Sequence, residues 1–233
     1  MAANVNIVLV HGAFCDGTSW SGVIPLLQEA GYNVLAVQIP LTGLSDDIAT
    51  TRQALASLSG PTVLAGHSYG GAVVTGAGTD ATNVTGLVYI AAYVPSEGET
   101  VGDLNDRFSA TEGQKHIGPS YLKDTVWIDP AVFPEVFAAD VDVTQARIMA
   151  AVQKPTGFGC LIEKTVHPAW QKLPSWYLVS ENDQTINPDA ERWMAQRAGA
   201  TTSSIASSHA SPVSHPREVA DVILAAAQAA TKA

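Results

Sequence analysis

The chain has 233 residues, enough for one full core, with 46% apolar and 15% charged residues; this composition excludes a disordered protein. A formal charge of −10 and an isoelectric point near 4.8 argue against nucleic acid or an anionic membrane as partner. Met1-Ala2-Ala3-Asn4 carries no basic leader, no apolar run approaches the ~18 residues of a membrane helix, and Cys15 and Cys160 fit neither a metal spacing nor a disulfide framework, so a reduced, cytoplasmic protein is expected.

Val5-Asn6-Ile7-Val8-Leu9-Val10 is short, apolar and β-branched, as a strand buried on both faces is. Residues 19–30 read as a helix ending at Gly31, where a left-handed cap belongs. Val34-Leu35-Ala36-Val37 is the next strand, and residues 46–58 form a helix stopped by Gly60-Pro61. The third strand, Thr62-Val63-Leu64-Ala65, feeds Gly66-His67-Ser68-Tyr69-Gly70 and a helix over 69–77. Strands at Leu87-Val88-Tyr89-Ile90, at Trp176-Tyr177-Leu178-Val179 and, more weakly, at 201–205 follow, with helices over 188–198 and 216–230. The alternation predicts an α/β fold: a mostly parallel sheet of about six strands flanked by helices.

Residues 95–174 break the rhythm. No clear sheet strand shows there, only scattered Gly, Pro and aromatic residues and short helical patterns such as 143–152. A structureless loop of that length is improbable. Residues 96–174 are therefore expected to form an inserted helical cap over the sheet's C-terminal edge, with 1–95 and 175–233 forming the core.

Gly66-His67-Ser68-Tyr69-Gly70 between a strand and a helix has the form of a nucleophile elbow, a turn so tight that the serine is strained and its flanking residues must be glycine. A serine hydroxyl needs a base, and the base a carboxylate to fix its tautomer. The elbow architecture places these in the chain order Ser, Asp, His. Asp183 follows the strand ending at Val179 and is preferred to Glu181. His209 lies between the last strand and the last helix. It is preferred to His215, which with Pro216 and Glu218 reads as a helix N-cap. Oxyanion donors are expected from the backbone N–H of Tyr69 and of Ala13, in the loop after the first strand. Gly12 and Phe14 of that loop shape the pocket, His11 holds the loop, and His67 packs beneath the elbow. Gly76-Ala77-Gly78-Thr79-Asp80-Ala81 imitates a dinucleotide fingerprint but follows a helix, so no phosphate-binding turn forms. His116 and His167 have no ligand spacing around them. No metal or cofactor is expected.

With these residues assembled, the chain resembles the α/β-hydrolase superfamily from end to end. More narrowly it is similar to the group that holds plant methyl-salicylate-type esterases, hydroxynitrile lyases and small bacterial esterases. The resemblance rests on Val8-Leu9-Val10-His11-Gly12-Ala13, Trp20, Pro25-Leu26-Leu27 with Ala30-Gly31-Tyr32, Gly66-His67-Ser68-Tyr69-Gly70-Gly71, Asp183 with Ile186, and His209 followed by Pro216. It implies a cofactor-free serine esterase acting on a small ester. Lyases of this group carry threonine where this chain has Gly12, and lysine where it has Ala210, so hydrolysis is favoured over cyanohydrin cleavage. Some superfamily members are hormone receptors, which keeps a binding protein as the alternative class. Tyr121, Trp127, Phe133, Phe137, Phe158 and Trp170 suggest an apolar pocket roof, although a cap also needs such residues for its own core. Homodimers are unsurprising in this group; the sequence leaves the oligomeric state open.

Overall fold

The larger of two sheets in the computed structural model, which describes residues 5–230, has six strands. They are β1 (Asn6–Val10), β2 (Asn33–Val37), β3 (Thr62–His67), β4 (Val84–Ile90), β8 (Ser175–Ser180) and β9 (Thr201–Ile205). Their order is β2-β1-β3-β4-β8-β9, and every pairing is parallel. Met1-Ala2-Ala3-Asn4 and residues 231–233 lie outside the described residues.

Side chains alternate across β1, which decides the layers. Ile7 and Leu9 join Trp20, with Val23 and Leu27 of α1 (Val23–Glu29) and Val219 and Ile223 of α11 (Pro216–Ala230). Val8 and Val10 face the opposite layer. That layer includes α2 (Leu44–Ala56), α3 (Gly70–Ala77) and α9 (Pro188–Arg197). The helix expected over 19–30 is instead a 3-10 turn at Gly17–Trp20 followed by α1. Asp16 causes the break, its side chain accepting the Thr18 N–H at 2.8 Å to start a separate turn. Gly31 takes φ +89°, and Tyr32 N–H closes on the Leu27 carbonyl at 3.2 Å.

Between β4 and β8 lie α4 (Val101–Asp106), α5 (Glu112–Lys115), α6 (Phe133–Val136), α7 (Val143–Ala151) and α8 (Gly159–Ile162). The helices expected there are present, and three strands that no pattern announced join them. β5 (Ile117–Pro119), β6 (Thr125–Ile128) and β7 (Thr156–Gly157) form a small antiparallel sheet. Strands of two to four residues are too short to show a period. A last short helix, α10 (Ser211–Ser214), precedes α11. Among the described residues no helix is long and apolar enough to cross a membrane.

Parallel strands end on a common edge. Ser68 follows β3, Asp183 follows β8 and His209 follows β9, so the topology delivers all three side chains to one place.

Candidate active site

Ser68 sits at φ +54°, a left-handed conformation that a non-glycine residue holds only when its surroundings impose it. The surroundings here are backbone. A Cβ at Gly66 would meet the Gly70 carbonyl oxygen at 2.4 Å, and one at Gly71 the Tyr93 carbonyl oxygen at 2.4 Å. Ser68 N–H donates to the Ile90 carbonyl at 3.1 Å, and its own carbonyl accepts from Gly71 and Tyr93 at 2.9 and 3.1 Å.

The turn points Ser68 Oγ at His209 Nε2, 2.8 Å away. His209 Nδ1 faces Asp183 Oδ2 in a hydrogen-bonded pair with both side chains fully buried. Asp183 Oδ1 accepts the N–H groups of Thr185 at 2.6 Å and Ile186 at 2.9 Å, so the carboxylate is fixed by its own loop. The rejected alternatives are engaged elsewhere: Glu181 pairs with Arg192, and His215 Nδ1 faces Ser214 Oγ at 2.9 Å and Asp140 at 3.4 Å.

Two histidines support the arrangement. His11 Nε2 accepts the Ile39 N–H at 3.2 Å, so its proton is on Nδ1, which donates to the Gly12 carbonyl at 2.9 Å. Burial pushes its pKa down to about 4. His67 Nε2 donates to the His209 carbonyl at 2.8 Å and thereby fixes the backbone of that residue. Burial first, and then the neighbouring His209, hold its pKa well below the ordinary imidazole range. Both rings are neutral struts.

The loop after β1 closes the site from the other side. A Cβ built on Gly12 would lie 2.8 Å from Ser68 Cβ, so only glycine lets loop and serine meet. Among the described residues the N–H groups of Ala13 and Tyr69 take part in no hydrogen bond. Phe14 has φ +64°, and its N–H is held by Thr156 Oγ1 at 3.1 Å. Tyr69 OH donates to Asp47 Oδ2 at 2.7 Å, and Asp47 Oδ1 accepts the Leu41 N–H at 2.8 Å. Burial raises the carboxyl pKa of Asp47, and it pushes the thiol of neighbouring Cys160 up to about 12. Asp47 and Thr156 escape a reading of the sequence because their partners lie 22 and 142 residues away.

A cavity of about 410 Å³ adjoins this loop, lined by Phe14, Asp16, Thr18, Phe133, Met149 and Val213 among others. Of the aromatics expected in the roof, Phe133 reaches it, stacked at 4.6 Å on Phe137, whose ring meets His209 edge-on at 4.7 Å. Tyr121 and Phe158 do not line it, being 72% and 46% exposed. Trp127 does not line it either and packs edge-on against Tyr121. Trp170 Nε1 donates to the Pro95 carbonyl. Residue type alone picked these side chains, whereas Trp127 stands on β6 and Tyr121 in the turn before it. Among the described residues no group of three or more His, Cys, Asp or Glu is placed to hold a metal ion.

Comparison with known proteins agrees with this architecture. The chain is 25% identical over 210 residues to Methylesterase 8 of Arabidopsis thaliana, covering 81% of this chain and 76% of that one. A Carbendazim hydrolyzing esterase of Nocardioides is 34% identical over 109 residues, 41% of this chain and 45% of the relative. The crystal structure of a pyrethroid hydrolase from Sphingobium faniae superposes with a TM-score of 0.83 at 22% identity, covering 98% of this chain and all of that one. A profile of the Alpha/beta hydrolase family matches residues 7–222, and the chain belongs to that family.

Proposed function

We propose that this protein is a serine carboxylesterase for small, largely apolar esters, with Ser68 as nucleophile, His209 as general base and then acid, and Asp183 as the residue that orients His209. The observation that carries the reading is the 2.8 Å contact of Ser68 Oγ with His209 Nε2 while Asp183 holds the other ring nitrogen. Ser68 attacks the ester carbonyl as His209 takes its proton. The developing oxyanion is received by the N–H groups of Ala13 and Tyr69, each donor of this kind being worth about 3 kcal/mol of barrier. His209 returns the proton to the leaving alkoxide, and water then cleaves the acyl-enzyme by the same steps in reverse order. The chain is thus a carboxylic ester hydrolase, in keeping with relatives named methylesterase and carbendazim hydrolyzing esterase.

Residues 96–174 serve as a cap in this reading. The cavity beside Phe14 and Phe133, next to but not lined by Ser68, is where the ester would enter, with Phe, Met and Val side chains set among Asp16, Thr18, Ser19 and Gln145. Initial rates on p-nitrophenyl acetate, butyrate and octanoate test the proposal. Ser68→Ala should abolish turnover, by up to ~10⁶-fold as in other triad deletions, and the wild-type rate should fall with chain length. Substantial turnover in Ser68→Ala would overturn the mechanism.

A further inference from the structure

Helix α9 lays Ala190, Glu191, Met194 and Ala195 against β8, all buried. A glutamate in such a stripe must be either paired or neutral. Among the described residues no cation pairs with it: Arg192 of the same helix is held by Glu181 and Asp189, and Arg197 by Glu99 and the Val94 carbonyl. Glu191 Oε2 accepts the Ser180 N–H at 3.1 Å, at the end of β8. Its Oε1, also buried, has no hydrogen-bond partner among the described residues.

The titratable groups around it are Asp183 and Glu181 from the loop after β8, Tyr177 from β8, and Tyr93 from the segment after β4. Tyr177 OH donates to the Ala92 carbonyl at 2.6 Å and accepts the Ala92 N–H at 2.9 Å. Tyr93 OH donates to Asn105 at 2.8 Å. Of the carboxylates, Asp183 is the one within side-chain hydrogen-bonding reach of the Glu191 carboxyl. Burial first, then the charge of Asp183, hold the Glu191 carboxyl well above the usual carboxylate range, so it keeps a proton to donate.

We propose that Glu191 is a positioning residue for the triad acid, presenting an Oε1–H to Asp183 while Oε2 stays on Ser180, so that the carboxylate orienting His209 is itself fixed from behind. This rests on the reading of Ser68, His209 and Asp183 as the triad. Thr185 and Ile186 already restrain Asp183 Oδ1. A donor from α9 adds a third restraint and spreads the carboxylate's charge.

The test compares Glu191→Gln, which keeps one donor and one acceptor, with Glu191→Leu, which keeps neither. Three readouts are followed: kcat against KM on p-nitrophenyl acetate, the acid limb of the kcat profile, and the NMR resonance of the His209 Nδ1 proton. Glu191→Gln should leave all three close to wild type. Glu191→Leu should lower kcat by about 10-fold or more at unchanged KM, the effect of losing a hydrogen bond to a charged group. Its acid limb should move to higher pH, because a bare carboxylate holds the imidazolium more firmly, and the proton resonance should shift. A Leu variant less stable but unchanged in all three readouts would make Glu191 merely structural and overturn the proposal. If the Leu variant does not fold, Gln decides: an acid limb displaced to lower pH would mean that Glu191 carries a charge, and would overturn it too. The resonance is read without turnover, so a wild type inactive on esters would refute the esterase reading and leave the Glu191 result standing.

Discussion

Gly12 and Ser68 touch, and that contact limits which residues the site accepts. A Cβ at position 12 would meet Ser68 Cβ at 2.8 Å and His67 Nδ1 at 3.2 Å. Neither neighbour can give way without losing its place, since Ser68 is held in its turn and His67 is hydrogen-bonded to the His209 carbonyl. Gly12→Ala should therefore displace the serine while the fold survives. A misplacement of that kind costs on the order of 100-fold in kcat/KM, to be checked by steady-state rates beside a thermal melt. A threonine at position 12 would meet the same atoms in this backbone.

At the scale of elements, the segment between β4 and β8 braces the loop after β1. Lys154 N–H donates to the Phe14 carbonyl at 3.2 Å, Thr156 Oγ1 accepts the Phe14 N–H, and Gly157 N–H reaches the Leu41 carbonyl at 2.8 Å. Thr156→Val keeps the shape and removes the acceptor, leaving a buried N–H unpaired at a cost of about 1–3 kcal/mol. Urea unfolding should register that loss. The kcat should fall with it, because the freed residue is next to Ala13. None of this bracing was legible in the sequence, whereas the sheet was, together with the placing of Ser68, Asp183 and His209 at one end of it. Most strands of the large sheet are short runs rich in apolar or β-branched residues, and Ser68, Asp183 and His209 stand in the turns or loops that follow three of them. Glu191 and Thr156 gain their meaning from partners on other elements, which no local pattern announces. The strands β5, β6 and β7 are below the length at which periodicity speaks.

Across the whole molecule, buried ionisable groups set opposing dependences on pH. His11 has its pKa lowered from 6.5 to about 4. The unfolded chain therefore binds more protons in that window, and the contribution of His11 to stability is complete above pH 6.5 and drains away as pH falls toward 4. Glu191 and Asp47 have raised pKa values, so the folded state holds their protons more tightly, and stability declines as pH rises above the ordinary carboxylate range. The two trends overlap and flatten the wild-type curve. His11→Asn separates them: the gap in unfolding free energy between wild type and variant should widen by about 2 kcal/mol from pH 5 to pH 7, and a constant gap would refute the assignment. If Ser68, His209 and Asp183 act together as proposed, their spacing has a consequence for biosynthesis. His209 lies 141 residues beyond Ser68, so a ribosome has released most of the chain before the base for its nucleophile exists. The nascent serine is an ordinary alcohol, inert toward esters and toward the fluorophosphonates that label activated serines. On that reading reactivity should arrive only when the last strand docks, and covalent labelling of Ser68 should count finished molecules.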